Sequence, residues 1–475
     1  MKNRIIKNIG IVCLCLGVGA CTIPTSVQKT ENSDTPEAFV NSQDTVNSAK
    51  VQWKDFFTDP YLVALIDTAL NNNQELNIIL REIQITQNEV RARKGEYLPF
   101  VDIGAGAGVE KVGRYTSQGA NDANTEIKAG EEFPDPLPDF MLGAYASWEV
   151  DIWNKLHNAK KSAVFRYLSS IEGKNFMVTH LIAEIANSYF ELMALDNQLE
   201  IVQQNLTIQT NALEIVKVEK ASARVTELAV RRFQAEVLKN QSLQYEIRQK
   251  IVEMENRINF LIGRYPQPIQ RNSSNFYNLV PSTVYSGIPS QLLTNRPDIR
   301  QAEFELAAAK LDINVARAEF YPSLEIKSGV GFRSFNLKYL VTPESMLYSL
   351  GGELLAPLVN RNAIRANFNT ANAKQVQAVY EYEQRLLNAY IEVVNQMSMI
   401  SNLEKSYDLK SKQVQALTES IDISTVLFRS ARADYMEVLL TQRDALESRF
   451  ELVETKKQQM NAMVNIYQAL GGGWK

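Results

Sequence analysis

The chain has 475 residues, 50 basic and 54 acidic side chains, and a formal net charge of −4. Such a balance lacks the basic footprint of a nucleic-acid binder. Only two histidines and three cysteines are present, and the chain carries no HExxH, CxxC, Walker loop or Gly-x-Ser-x-Gly pattern, so no catalytic residue, metal or cofactor is expected. His180 and Glu184 stand at helical spacing, but two ligands do not complete a metal site.

Lys2, Arg4 and Lys7 precede an apolar run from Ile9 to Val18, the pattern of a cleaved export signal over residues 1–20 and too short for a lasting membrane span. Val18-Gly19-Ala20-Cys21 resembles the lipobox of bacterial lipoproteins, in which the cysteine is acylated. Two or more acyl chains on Cys21 would anchor the chain stably; an ordinary small-residue cleavage site gives the same pattern. Losing three positive charges with the signal takes the formal charge from −4 to −7. Cys13 and Cys15 leave with it, so no internal disulfide is expected and stability rests on packing. No long apolar segment follows, so any passage through a membrane is built from strands.

Residues 21–50 are rich in Thr, Ser, Asn, Gln and Asp and read as an extended tether. A first unit, 51–270, contains two strands. Over about 98–112, Val101, Ile103, Ala105, Ala107 and Val109 alternate with Asp102, Gly104, Gly106, Gly108 and Glu110, a period of two. A second strand is expected over about 139–151, and a long helix pair over about 155–262, where proline is absent and glycine rare. Within the pair, Leu181, Ile185, Tyr189, Leu192, Leu195, Leu199, Val202 and Leu206 form an apolar stripe, suited to side-by-side packing in a thin-walled assembly.

The second unit, 271–475, repeats the plan with strands over about 321–334 and 345–356 and a long helix pair over about 361–470. Ser222-Ala223-Arg224 recurs as Ser430-Ala431-Arg432, and Phe260-Leu261-Ile262-Gly263 is answered by Gln468-Ala469-Leu470-Gly471, both at an offset of 208. A shared offset points to duplication. Alternating strands of this length fit either a half-buried soluble sheet or a transmembrane barrel. Four strands cannot close a membrane barrel, whose smallest examples have about eight, so the barrel reading demands several copies, and three would supply about twelve strands.

These tokens are joined by Trp53 through Phe57, Ser147-Trp148-Glu149-Val150-Asp151-Ile152-Trp153, Gly287-Ile288-Pro289-Ser290, Arg296-Pro297-Asp298-Ile299-Arg300-Gln301-Ala302-Glu303, Ala316 through Pro322, and Ala469-Leu470-Gly471-Gly472-Gly473-Trp474. Together they resemble the outer-membrane factors of tripartite efflux pumps, the lipoprotein branch of the TolC superfamily of the NodT or OprM type. The resemblance implies a mixed α/β membrane protein: a homotrimer with a 12-stranded transmembrane β-barrel, four strands per chain, continuous with a long periplasmic α-helical barrel. It implies a passive exit duct for drugs or other small toxic compounds, seated in outer-membrane lipid and served by a periplasmic adaptor protein and an inner-membrane pump of the RND type. A type I protein-secretion exit channel, or an envelope coiled-coil lipoprotein without a pore, would share the helices and anchor.

Two groups of residues follow as candidate sites. If the alternation holds, Asp102, Glu110, Glu325, Lys327, Arg333 and Glu353 face water inside the barrel, because charge on the lipid face costs about 2–4 kcal/mol for Lys or Arg at mid-depth. The resemblance places the periplasmic entrance and adaptor dock at the helix turns near 217–228 and 428–437. Ala223 and Ala431 stand where relatives have glycine, and Ala229 and Leu440 where they have aspartate. Arg224, Glu227, Phe428, Arg429, Arg432, Asp434 and Glu437 remain as an entrance shut by Arg-carboxylate pairs, or as solvated surface charges worth about 0–1 kcal/mol per pair.

Overall fold

A computed structural model describes residues 24–27, 29–39, 46–279, 284–359, 361–430 and 432–474; the expected signal, Cys21 and Ala431 lie outside them. In chain order the main elements are α1 (Pro60–Asn72), α2 (Gln74–Glu96), β1 (Phe100–Glu110), β2 (Leu137–Val150), α3 (Lys155–Ala221), α4 (Glu227–Leu261), α5 (Pro297–Ala318), β3 (Ser323–Ser334), β4 (Met346–Leu355), α6 (Asn362–Arg429) and α7 (Tyr435–Ala469). The 67 residues of α3 and 68 of α6 run for about 100 Å each at 1.5 Å per residue, as the lack of helix breakers anticipates. Between β1 and β2 the chain adds a short helix (Ser117–Asp122) and a small hairpin (Glu126–Lys128 with Glu131–Glu132) that alternation alone does not announce.

The duplication is visible bond by bond. Helices α4 and α7 both have 35 residues. At the turn before each, Arg224 N donates to Glu219 O at 3.0 Å and Arg432 N to Leu427 O at 2.9 Å; after each, Gly263 N donates to Phe260 O at 3.0 Å and Gly471 N to Gln468 O at 2.8 Å. Gly263 and Gly471 have φ of +70° and +90°, the left-handed conformation in which a helix commonly ends. A Cβ on Gly263 would meet Asn72 O at 2.4 Å, and one on Gly471 would meet Asn295 O at 2.5 Å.

The chain divides into two compact units, each drawing on both repeats. Among the described residues, the first takes those up to Thr30, with Gln84–Leu168 and Phe304–Tyr380. It holds one antiparallel sheet in the order β1-β2-β3-β4. Each repeat therefore contributes a strand pair, and β2 pairs with β3 across the duplication, from Phe140 opposite Ser334 to Val150 opposite Leu324. Behind the sheet's helical end, Phe320 meets Phe368 edge-on at 5.9 Å beside Ala316. The hydroxyl of Ser162 donates to Asp312 at 2.6 Å, and Arg166 pairs with the same carboxylate.

The second unit comprises Glu31–Ile83, Ser169–Glu303 and Glu381–Lys475. Here the apolar stripe of α3 is covered by the chain itself: Leu181, Ile185, Tyr189 and Leu192 are buried with Leu62 and Ile66 of α1, Ile258 of α4, Phe276 and Val464 of α7. Burying each such side chain contributes about 1.5–3 kcal/mol. The stripe, expected to serve side-by-side packing in a thin-walled assembly, thus packs into a core formed within this unit. Tyr189 donates to Asp59 Oδ2 at 2.8 Å, and burial, with the neighbouring carboxylate, pushes its phenol well above the ordinary range. Residues 265–279 bridge the helical hairpins. Arg271 pairs with Asp196 and Glu255, each at 2.6 Å, while the Lys456 ammonium donates to Leu279 O and lies 5.1 Å from the Tyr407 ring.

Candidate functional site

Asp102, Tyr145, Gly329 and Ser349 stand side by side across the four strands. Because side chains alternate between faces, this rung assigns every strand residue. One face takes Asp102 and Glu110 of β1, Asp139 and Glu149 of β2, Glu325, Lys327 and Arg333 of β3, and Glu353 of β4, which are all the charged residues of the sheet. The opposite face takes Val101, Ile103, Ala105, Ala107 and Val109, then Phe140, Leu142 and Trp148, then Leu324, Ile326, Val330 and Phe332, then Tyr348, Leu350 and Leu354. The six candidate lumen residues thus share one face.

On the polar face the charges are largely matched within the chain. Arg333 donates to both Asp139 oxygens, at 2.9 and 2.7 Å, and Lys327 bridges Glu353 at 3.0 Å and Glu325 at 3.2 Å. Asp139 is not legible from the sequence because it sits near the start of its strand, before the alternation declares itself, and Glu149 because it sits at the strand's other end between Trp148 and Val150. Between the charged ends the face is low, with Gly104, Gly106, Gly143, Gly329 and Gly331. Gly331 admits no side chain, since a Cβ would stand 2.5 Å from Leu142 O.

Most of the apolar face is uncovered among the described residues. Ile103 is 83% exposed and Leu350 79%, and such a continuous apolar surface needs hydrocarbon or a partner to cover it. At the end of β2 the two tryptophans tie the chain entries into β1 and β3: Trp148 Nε1 donates to Tyr97 O at 3.2 Å and Trp153 Nε1 to Pro322 O at 2.7 Å. Trp153 also stacks on Tyr321 at 4.6 Å.

In the second unit, the turns between α3 and α4 and between α6 and α7 share one apolar cluster. Val216, Ala229, Val230, Phe233 and Leu439 are buried there, with Phe428 and Tyr435 packed against them. Ala229 is wholly buried, so this position faces the hairpin interior rather than an opening; Leu440 is exposed. Glu227 pairs with Lys220 and, at 2.8 Å, with Arg231. The Lys220 ammonium, followed by Arg231, holds the Glu227 carboxyl below its ordinary range. Arg224, Arg429, Arg432, Asp434 and Glu437 lie at the same turns and make no ion pair among the described residues. The expected Arg-carboxylate network is therefore not assembled among the described residues of one chain: the cations of Glu227 come from its own hairpin, Lys220 at the end of α3 across the turn and Arg231 one helical turn after it. His180 lies 3.8 Å from Glu184, and no group of three ligating side chains is found among the described residues.

The family model described as outer membrane efflux protein matches residues 65–264 and 288–472. The pyoverdine export outer membrane protein OpmQ of Pseudomonas aeruginosa is 27% identical over 471 residues, 99% of this chain and 97% of the relative. The cation efflux system protein CusC of Escherichia coli is 25% identical over 468 residues, 98% of each. Among solved structures, the open state of the MtrE outer membrane channel of Neisseria gonorrhoeae superposes with a TM-score of 0.82 at 22% identity, covering 96% of this chain and 98% of that one. Sheet, duplicated helix pairs and sequence thus agree over nearly the whole length: the chain belongs to the outer membrane efflux protein family.

Proposed function

We propose that this chain is the passive outer-membrane exit duct of a three-part efflux system, in which three copies close a 12-stranded barrel around their polar sheet faces. One observation carries the proposal: every charge of the sheet is on one face and the other is apolar and mostly uncovered. Water on one side and hydrocarbon on the other satisfies both. The outer edges of β1 and β4 have no strand partner among the described residues, and an open edge is not tolerated in lipid, so neighbouring copies are needed to pair them.

The lining mixes signs and pairs most of its charges internally, which suits a duct that passes small compounds of differing charge and leaves selection to a pump. The partners are a periplasmic adaptor and an inner-membrane pump of the RND type, the adaptor docking at the turns that carry Arg224, Glu227, Phe428, Arg429, Arg432, Asp434 and Glu437.

Anchoring at Cys21 fits the reach of the tether. Gln375 Nε2 donates to Lys29 O at 3.2 Å, and the Lys29 ammonium lies 4.1 Å from the Tyr380 ring. Gln375 is 13 residues from the start of α6 at Asn362, about 20 Å along the helix. The eight residues from Cys21 to Lys29 span up to about 26–29 Å when extended, enough to bring an acylated cysteine to the level of the sheet.

Purified protein added to a planar lipid bilayer tests the duct: discrete ohmic current steps from particles of three-chain mass are expected. A solitary subunit that conducts nothing ends the proposal.

A further inference from the structure

We infer that Tyr145 sets the bore of the sheet segment, its ring stowed flat in a recess that exists only because positions 143 and 329 are glycine. The inference rests on the polar face being the lumen. Tyr145 stands on that face at the middle of β2, directly between Asp102 and Gly329. It is bulkier than its neighbours on the rung, yet its ring does not stand away from the sheet. A Cβ on Gly329 would lie 3.1 Å from Tyr145 Cδ1 and 3.3 Å from Cε1, one on Gly143 3.2 Å from the hydroxyl oxygen, and one on Gly104 3.8 Å from Cε2. The hydroxyl reaches along the strand to Met141 Sδ at 3.0 Å.

The ring therefore occupies the volume that side chains at 143 and 329 would fill, while a Cβ at Gly104 would only touch it. An added methyl at Gly329 or Gly143 makes contacts tighter than proteins usually hold, and a branched side chain at 329 leaves the ring only one way to go, out from the sheet. In a closed barrel three raised rings would narrow the passage at a single level, because each copy contributes the same rung. Tyr145 lying down keeps the bore wide there, and the glycines are positioning residues for that posture.

The test uses the full-length chain reconstituted in lipid. Gly329→Val is expected to lower single-channel conductance and the polymer size that enters the pore, with a residue type that favours strands. Gly351→Val adds the same bulk to the same face where nothing lies within 4 Å, and should leave conductance near the parent's. Combining Gly329→Val with Tyr145→Ala should restore it. Wild-type conductance in Gly329→Val overturns the inference, as does a combined variant no wider than Gly329→Val alone. Should the valine variant fail to form trimers, Gly329→Ala gives the same readings with a smaller loss. Tyr145→Cys separates this inference from the reading beneath it. Block of the current by a charged, membrane-impermeant thiol reagent supports a luminal face, and if Gly329→Val is unchanged only the role of the ring falls. Absence of block brings down both.

Discussion

Asn73 Nδ2 donates to the carbonyl of Leu261 at 2.8 Å. In the second repeat the same carbonyl, Ala469 O, accepts from Arg296 Nη1 at 3.0 Å; the carbonyls are 208 residues apart, like the turns. One helix end is thus closed by a neutral amide and its copy by a buried guanidinium that also grips Asp298 at 2.7 Å and Glu392 at 2.6 Å. Removing one partner of a buried ion network costs about 3–5 kcal/mol, whereas losing a cap costs about 1–2 kcal/mol. Arg296→Ala should therefore destabilise the helical unit more than Asn73→Ala, as read by denaturant titration of helix signal in detergent.

Ala223 has φ of +56°, a conformation that costs a residue bearing a Cβ about 1–2 kcal/mol relative to glycine. Ala223→Gly should slow hydrogen exchange at the first turn by relieving that strain. Faster exchange would mean that the added freedom of glycine outweighs it.

Glu227, held below the ordinary carboxyl range by Lys220 first, contributes stability that is present above the unfolded carboxyl pKa and lost as pH falls through its lowered folded value. Local opening of this turn should rise in that acid window, and Glu227→Gln should flatten the response. If the remaining charges hold an entrance shut between copies, Arg432→Ala with Glu437→Ala raises single-channel conductance; unchanged current removes them from the proposal.

Lys456 presents the opposite sign. Burial lowers its pKa, so the unfolded chain binds more protons between the lowered value and the ordinary lysine range, and stability rises with pH across that interval. The stability of the wild type relative to Lys456→Met should rise with pH there. A difference flat with pH would mean that the ammonium is not desolvated.

The two sheet faces make a matched pair of substitutions. Ile103→Arg places charge against lipid at a cost of about 2–4 kcal/mol per copy near mid-depth, and should reduce the yield of heat-resistant trimers. Gly108→Arg, on the polar face of the same strand where nothing lies within 4 Å, should assemble.

The sequence carried much of this fold because its signals were strong and local. Alternation from Val101 to Glu110 defined a strand and both its faces, and the absence of proline from Lys155 onward allowed a helix of 67 residues. The pairing of β2 with β3 was not legible, since register between distant strands depends on close approaches such as Gly143 to Gly331 that no local pattern records. The stripe at Leu181 and Tyr189 was visible, but not its cover, which comes from α1 and Phe276, each remote in sequence. At the turns, residue types were readable and partners were not: a long, solvated arginine or lysine can reach several carboxylates, and Glu227 takes Lys220 and Arg231 rather than the arginines nearest the turn.

The uncovered ends of the sheet also govern the life of a newly made copy. Until neighbours arrive, β1 and β4 each offer a row of unused peptide groups beside a greasy surface, the template on which chains stick to one another at random. A lone subunit in water is therefore perishable, and overproducing it without detergent or lipid should yield precipitate rather than a dissolved monomer.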